Sequence, residues 1–434
     1  MRRMLFIFIF MPISFMLAQE RVTLSQAIAE ALQMNPSLQA KRLTTGLAEA
    51  DRKRFGSFFL SNPEFEYESR SDRRYGNQGE GGQSFSISQE VEILGQQFLR
   101  RSITNDRVDR TDAEIRAFEN DFVADVKTTF AQLLALQERT SVGNAIVELN
   151  KQLAESAELR HKAGDISELD YNLIVVERDR SLAEQLGLES QLKSVRANFN
   201  RLLGRNAGSQ TTAVLDTAAP AQEYTLDQLN LLAFEQRSDL KALEYEESAT
   251  STNKTLSWLN LIPNPKLTFS LTKETGIFDR SSITGNPSII NGIDRLEDTD
   301  KLLNFRIGLS VPIAFPFLYG SKQADIQQAQ VENRIANSAL VAKRTVVNAE
   351  VYSAFSRYDA ARRSLTIFQD ILPRLDVNVA LLTKGFQAGQ LNLTALLVEK
   401  DRIFRTKFSY LEAVLEYNAA RAELERAVGG KLPS

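Results

Sequence analysis

The stretch Leu303-Asn304-Phe305-Arg306-Ile307-Gly308-Leu309-Ser310-Val311-Pro312-Ile313 decides how this chain is read. Its odd-numbered residues are all apolar, and its even-numbered ones are polar, glycine or proline. A period of two is the signature of a strand with one apolar and one polar face. Three more stretches alternate in the same way. In Glu64 to Arg70, Phe65 and Tyr67 oppose Glu64, Glu66, Glu68 and Arg70; in Ser84 to Ile93, the apolar face is Phe85, Ile87, Val91 and Ile93. In Lys266 to Thr272, Leu267, Phe269 and Leu271 oppose Lys266, Thr268, Ser270 and Thr272. Polar, glycine-bearing connections, Ser71 to Gln83 and roughly Glu274 to Lys301, join these strands into two long-looped hairpins.

A soluble sheet seldom carries carboxylates two residues apart along one face, whereas outer-membrane strands alternate apolar-out and polar-in. Four strands cannot close a barrel, because the smallest membrane barrels use about eight, and lipid does not tolerate an open edge. Several copies must therefore share one barrel. The interior of a barrel of about eight strands is filled by side chains, so a conduit favours three copies and twelve strands.

The remainder is helical. Between Gly95 and His161 there is no proline and one glycine, Gly143, while Ile115, Phe118, Phe122, Val126, Phe130 and Leu133-Leu134 recur at helical spacing. At ~1.5 Å per residue this single helix reaches on the order of 100 Å. The turn Lys162-Ala163-Gly164-Asp165 reverses it, with Gly164 as the stop and Ser167 as the next start, and Leu169 to Leu203 returns antiparallel. A second pair is expected from about Ser321 to Gln387 and from Leu393 to Val428, with a kink at Pro373. The class is mainly α with membrane β.

The chain also repeats itself. Thr23-Leu24-Ser25-Gln26 recurs as Thr225-Leu226-Asp227-Gln228, and Asn62-Pro63 as Asn264-Pro265, both at an offset of 202. Phe85-x-Ile87 with Val91-x-Ile93 recurs as Phe305-x-Ile307 with Val311-x-Ile313 at 220, and Ala163-Gly164 and Arg201-x-x-Gly204 recur as Ala388-Gly389 and Arg426-x-x-Gly429 at 225. Conserved order and a monotonic offset indicate an internal duplication. The first copy is assigned to residues 19–204, with strands over about 63–94 and a helix hairpin over about 95–204. The second spans 221–430, with strands over about 264–315 and a hairpin over about 320–430.

Met1-Arg2-Arg3 followed by the apolar run Met4 to Leu17 reads as a signal peptide over residues 1–18, cleaved after Ala18. No later segment has the ~18 consecutive apolar residues of a spanning helix. Charges nearly balance, with Lys+Arg 52 against Asp+Glu 55, so no basic field gathers nucleic acid. With no cysteine and one histidine, disulfides, cofactor ligation and the usual metal sites are not expected.

These features together resemble the outer membrane efflux protein family, the TolC-like channels. The resemblance covers the whole mature chain. It is carried by Thr23-Leu24 through Ala27-Ile28 to Asn35-Pro36, by Asn62-Pro63 and Asn264-Pro265, by Ser88-Gln89-Glu90-Val91-Glu92 with Gly95, and by Ala163-Gly164-Asp165-Ile166-Ser167-Glu168-Leu169-Asp170. Phe386-Gln387-Ala388-Gly389 and the Arg-x-x-Gly endings complete it, and Glu423-Leu424-Glu425-Arg426 with Gly429-Gly430 is similar to the heavy-metal branch.

The resemblance implies a homotrimer whose twelve-stranded barrel lies in outer membrane lipid of a Gram-negative type cell and continues into a periplasmic helical tunnel. A periplasmic adaptor and an inner-membrane pump would deliver metal ions or drugs to it. It implies adaptor-contacting tips at Ala163, Gly164, Asp165, Ser167, Ala388, Gly389, Gln390, Asn392 and Leu393. For the tunnel gate, Asp170 matches an acidic position of the family, but its expected partners are Phe386 and Leu391, which cannot accept its charge. The family's ring of aspartates falls on Ala395 and Val398 here, which leaves Glu399 as a weak substitute. His161 reads as a lone exposed histidine at a helix end. A trimeric coiled-coil adhesin is the alternative, and it would place one barrel segment at one chain end. An enzyme built on Glu64, Glu66 and Glu68 lacks any accompanying nucleophile, histidine or phosphate loop.

Overall fold

The computed structural model describes residues 20–57, 59, 61–71, 81–92, 95–215, 223–277, 299–312, 320–387, 390 and 393–432. The signal peptide therefore lies outside the described residues. In chain order the elements are β1 (Glu20–Val22), α1 (Leu24–Met34), α2 (Pro36–Arg42), α3 (Thr44–Phe55), β2 (Glu64–Ser71), β3 (Gly81–Glu90), α4 (Gln96–Lys162) and α5 (Glu168–Leu203). They continue as β4 (Thr211–Ala213), α6 (Leu226–Gln236), α7 (Ser238–Leu259), β5 (Lys266–Ile277), β6 (Thr299–Ser310), α8 (Gly320–Gln387) and α9 (Leu393–Val428). The chain forms two compact units, one of residues 1–43, 113–240 and 342–434 and one of residues 44–112 and 241–341.

In the first unit, Thr23 starts α1 through a capping box with Gln26. Asn35 ends that helix and caps the next: its Oδ1 accepts from the backbone N–H groups of Ser37 and Leu38, and its Nδ2 donates to the Leu202 carbonyl at 3.0 Å. The core gathers Ala27, Ala31 and Leu38 against Phe122, Val126, Phe130 and Leu133 of α4 and Phe199, Leu202 and Leu203 of α5. Burying each of the larger side chains contributes about 1.5–3 kcal/mol. Phe118 departs from the sequence expectation, because it is exposed while Phe122 and Val126 are buried. At about 100° per residue it falls at the edge of the apolar stripe rather than in its centre. Strands β1 and β4 pair in parallel with Val22 opposite Ala213. Their three residues each are too short for alternation to announce them.

The second unit contains a four-stranded antiparallel sheet in the order β2-β3-β5-β6, so β2 and β6 are its edges. Its register aligns like with like. Tyr67, Phe85, Leu271 and Phe305 form one row across all four strands, and Phe65, Ile87, Phe269 and Ile307 form another. The intervening row is Glu66, Ser86, Ser270 and Arg306. A one-residue slip at any pair would put apolar side chains among polar and charged ones, so the alternation itself specifies this pairing.

The strands differ from expectation at their ends. Strand β5 runs on to Ile277 and β6 begins at Thr299, because the backbone keeps pairing through Lys273-Glu274-Thr275-Gly276, where both faces are polar and alternation is lost. Strand β6 stops at Ser310, two residues before Pro312, which has no N–H to give a ladder. Val91 lies past the end of β3 but still donates to the Pro265 carbonyl at 2.9 Å. Ile93 and Ile313 lie outside the described residues. The helical span of α8 runs through Pro373 without a break. No described helix is long and apolar enough to cross a membrane.

Candidate functional site

The first helix turn is built by backbone conformation. Gly164 has φ +81°, its N–H donates to the His161 carbonyl at 3.0 Å, and the Asp165 N–H donates to the Arg160 carbonyl at 2.9 Å. That left-handed residue closes α4 and is reached by glycine without a Cβ penalty. A Cβ at Gly164 would meet nothing within 4 Å, so the constraint is φ and not space. Ser167 then caps α5, accepting from the Asp170 N–H at 3.1 Å and donating to Asp170 Oδ2 at 2.8 Å. Asp170, a gate candidate by sequence, thus spends its carboxylate within its own helix start. Leu169, Leu173 and Val176 are exposed on the first turns of α5.

His161 is a correction. It is half-buried, its ring stacked on Tyr171 with centroids 5.4 Å apart and an interplanar angle of 3°, and its Nδ1 lies 3.3 Å from the Ile166 carbonyl oxygen. The histidine braces the turn. Among the described residues no group of three or more His, Cys, Asp or Glu is placed to hold a metal ion.

Most of the second turn lies outside the described residues, including Ala388, Gly389, Leu391 and Asn392. Gln390 donates its N–H to the Gly385 carbonyl at 2.9 Å, Phe386 belongs to α8, and Leu393 opens α9. Glu399 pairs with Arg402 at 3.1 Å, one turn along the same helix. Among the described residues, both acidic gate candidates bond within their own neighbourhood.

Sequence reasoning passed over two charged clusters in the first unit. Lys400 of α9 is buried, and its Nζ donates to Asn150 Oδ1 of α4 at 2.6 Å and lies 3.3 Å from Glu177 Oε1 of α5. The spacing Leu396-Lys400-Ile403-Phe404, a lysine in a buried apolar stripe, was the available signal.

The second cluster surrounds Arg237 at the head of α7. Its Nη1 donates to the Ala427 carbonyl at 3.0 Å and to Glu350 at 2.5 Å, and its Nε and Nη2 reach Asp239 at 2.9 and 2.6 Å. Lys343 adds a contact to Asp239 at 2.9 Å. These side chains line a cavity of about 520 Å³ together with Asp121, Glu423 and Arg426.

Burial alone would raise the Asp239 pKa, but bonds from Arg237 and Lys343 outweigh it and hold the group at about 2 instead of the ordinary 3.8. A depressed carboxylate pKa contributes stability above the unfolded value and loses it as pH falls through the folded one. Asp239 should thus contribute about 2 kcal/mol at neutral pH, an amount lost between about pH 4 and pH 2. In denaturant titrations the gap between wild type and Asp239→Asn is expected to close across that window.

On the sheet, the apolar rows stand open: Phe65, Phe85, Phe269, Phe305 and Ile307 are all exposed. Tyr67 and Phe85 pack at 4.9 Å between centroids, and Phe269 meets Phe305 edge-on at 4.6 Å. The opposite face holds ion pairs, Lys266 with Glu64 at 2.5 Å and Arg70 with Glu68 at 3.3 Å. One face is made for an apolar surrounding and the other for water.

Known proteins share this arrangement. Residues 231–430 match the outer membrane efflux protein family. The chain is 21% identical over 341 residues to the cobalt-zinc-cadmium resistance protein CzcC of Cupriavidus metallidurans, covering 78% of this chain and 75% of that one. Among solved structures, CusC superposes with a TM-score of 0.72 at 16% identity, over 94% of this chain and 92% of the other. VceC of Vibrio cholerae superposes with a TM-score of 0.71 at 13% identity, over 94% and 96%. The two structures share the fold of long helices with a small antiparallel sheet, and over residues 231–430 the chain is similar to the outer membrane efflux protein family.

Proposed function

We propose that three copies close one twelve-stranded barrel in the outer membrane, continued by a periplasmic helical tunnel, and that this channel is a passive conduit for metal cations. A periplasmic adaptor and an inner-membrane pump supply it. The observation that carries the reading is the sheet: among the described residues it has two unpaired edges, one apolar face and one charged face, and lipid accepts such a sheet only as part of a closed barrel. The name of the cobalt-zinc-cadmium relative favours metal cations over drugs as cargo.

Export by a signal peptide over residues 1–18 and an internal duplication belong to the same reading. Two matched contacts support the duplication. Asn35 donates to the Leu202 carbonyl and Arg237 to the Ala427 carbonyl, donors 202 apart and acceptors 225 apart. Gly204 and Gly429, also 225 apart, both have positive φ, and a Cβ would strike Met34, next to the donor Asn35, in the first copy and the donor Arg237 itself in the second.

The two helix turns, Ala163 to Ser167 and Ala388 to Leu393, are the adaptor-contacting tips in this reading. Gly389→Arg and Leu393→Arg should abolish metal resistance in a deletion strain while native mass still reports trimer, and the same change in the connection from Ser71 to Gln83 should change neither. Normal resistance in both tip variants would overturn the tip assignment. A stable monomer with a protected sheet would overturn the shared barrel.

A further inference from the structure

We infer that Lys400 is a clamp that fastens α9 to the first helix hairpin and sets how far the conduit opens at its turn end. The inference rests on the conduit reading. Its ground is one polar contact set inside an apolar seam. Leu396, one turn before Lys400, packs with Leu153, Ala154, Ala157 and Ile174 from α4 and α5, all nearly inaccessible. Into that seam α9 inserts an ammonium with 4% of its side chain exposed, and Asn150 receives it at 1% exposure.

A buried ammonium is tolerated only while its partners stay in place, because separation strands a charge in a low-dielectric site. Moving α9 away from α4 and α5 therefore breaks the whole contact at once, a two-state element rather than a graded one. The charged groups around Lys400 are Glu177 on α5, Asp401 on its own helix and Arg180, which bonds Glu184 and lies 3.9 Å from Asp401. Burial lowers the Lys400 pKa, against the pull of Glu177.

The position is close to the turns, since Lys400 is about two helical turns into α9 and Glu177 is in the third turn of α5. It is also one-sided. The residue 225 places before Lys400 is Val175, and those 225 places beyond Asn150 and Glu177 are Leu375 and Arg402, so the matched seam of the other copy has no such set. The clamp is further incomplete: among the described residues, Asn150 Nδ2 is buried without an acceptor. That unmet donor makes the contact adjustable in both directions.

The test uses the full chain reconstituted in planar lipid bilayers, with native mass as the control for assembly. Lys400→Met removes the charge at similar length and should raise open probability on the order of tenfold. Asn150→Asp replaces the unmet donor with a second carboxylate oxygen for the ammonium and should lower open probability below wild type. A general loss of stability cannot move the two variants in opposite directions. Assembled variants that both match wild type, or both shift the same way, overturn the clamp. If Lys400→Met does not assemble, Asn150→Asp decides alone, and an unchanged or raised open probability overturns it. An assembled wild type that passes no ions overturns the conduit reading instead, which is a different result from conduction without a clamp.

Discussion

Ile307→Arg is expected to empty the outer membrane of assembled protein, while Ser270→Arg, one row away on the opposite face, leaves it in place. Ile307 lies opposite Phe269 in the row that also holds Ile87 and Phe65, and all four side chains are exposed in the single chain. On the lipid side of a barrel an arginine near mid-depth costs about 2–4 kcal/mol, whereas the aqueous face accepts charge. Ser270 sits in the row of Glu66, Ser86 and Arg306, a face that already carries a carboxylate and a guanidinium. Membrane fractionation with native mass reads both variants. Equal losses would mean that the two faces have not been told apart.

Arg237→Ala should cost about 3–5 kcal/mol, the range for removing one partner of a buried ionic cluster. The side chain is 9% exposed and serves three acceptors from three elements, so its loss leaves the Ala427 carbonyl unbonded and Glu350 without its partner. Asp239 keeps Lys343 and the Leu240 N–H. Arg357→Ala is the matched control, because that side chain is 59% exposed and pairs with Glu416 at 3.4 Å, a surface contact that contributes roughly 0–1 kcal/mol. Denaturant midpoints of the purified protein compare them. A small loss for Arg237→Ala would mean that the cluster relaxes around the gap.

What the sequence determined by itself was everything written in local period and local punctuation. Alternation at Glu64, Ser84, Lys266 and Leu303 marked the four strands of the sheet and both of its faces. Gly164 and Ser167 marked the first helix reversal, because a left-handed stop and an N-cap act through backbone within a few residues. The tertiary structure decided the rest. That β3 lies beside β5, which leaves β2 and β6 as edges, follows from pairing across almost two hundred residues and has no local signal. The same holds for Arg237 with Ala427, 190 residues apart, and for Lys400 with Asn150, 250 apart. A lysine or arginine reads as a solvated surface residue until the fold supplies its acceptors and removes its water, and those acceptors sit on helices whose meeting only packing can decide.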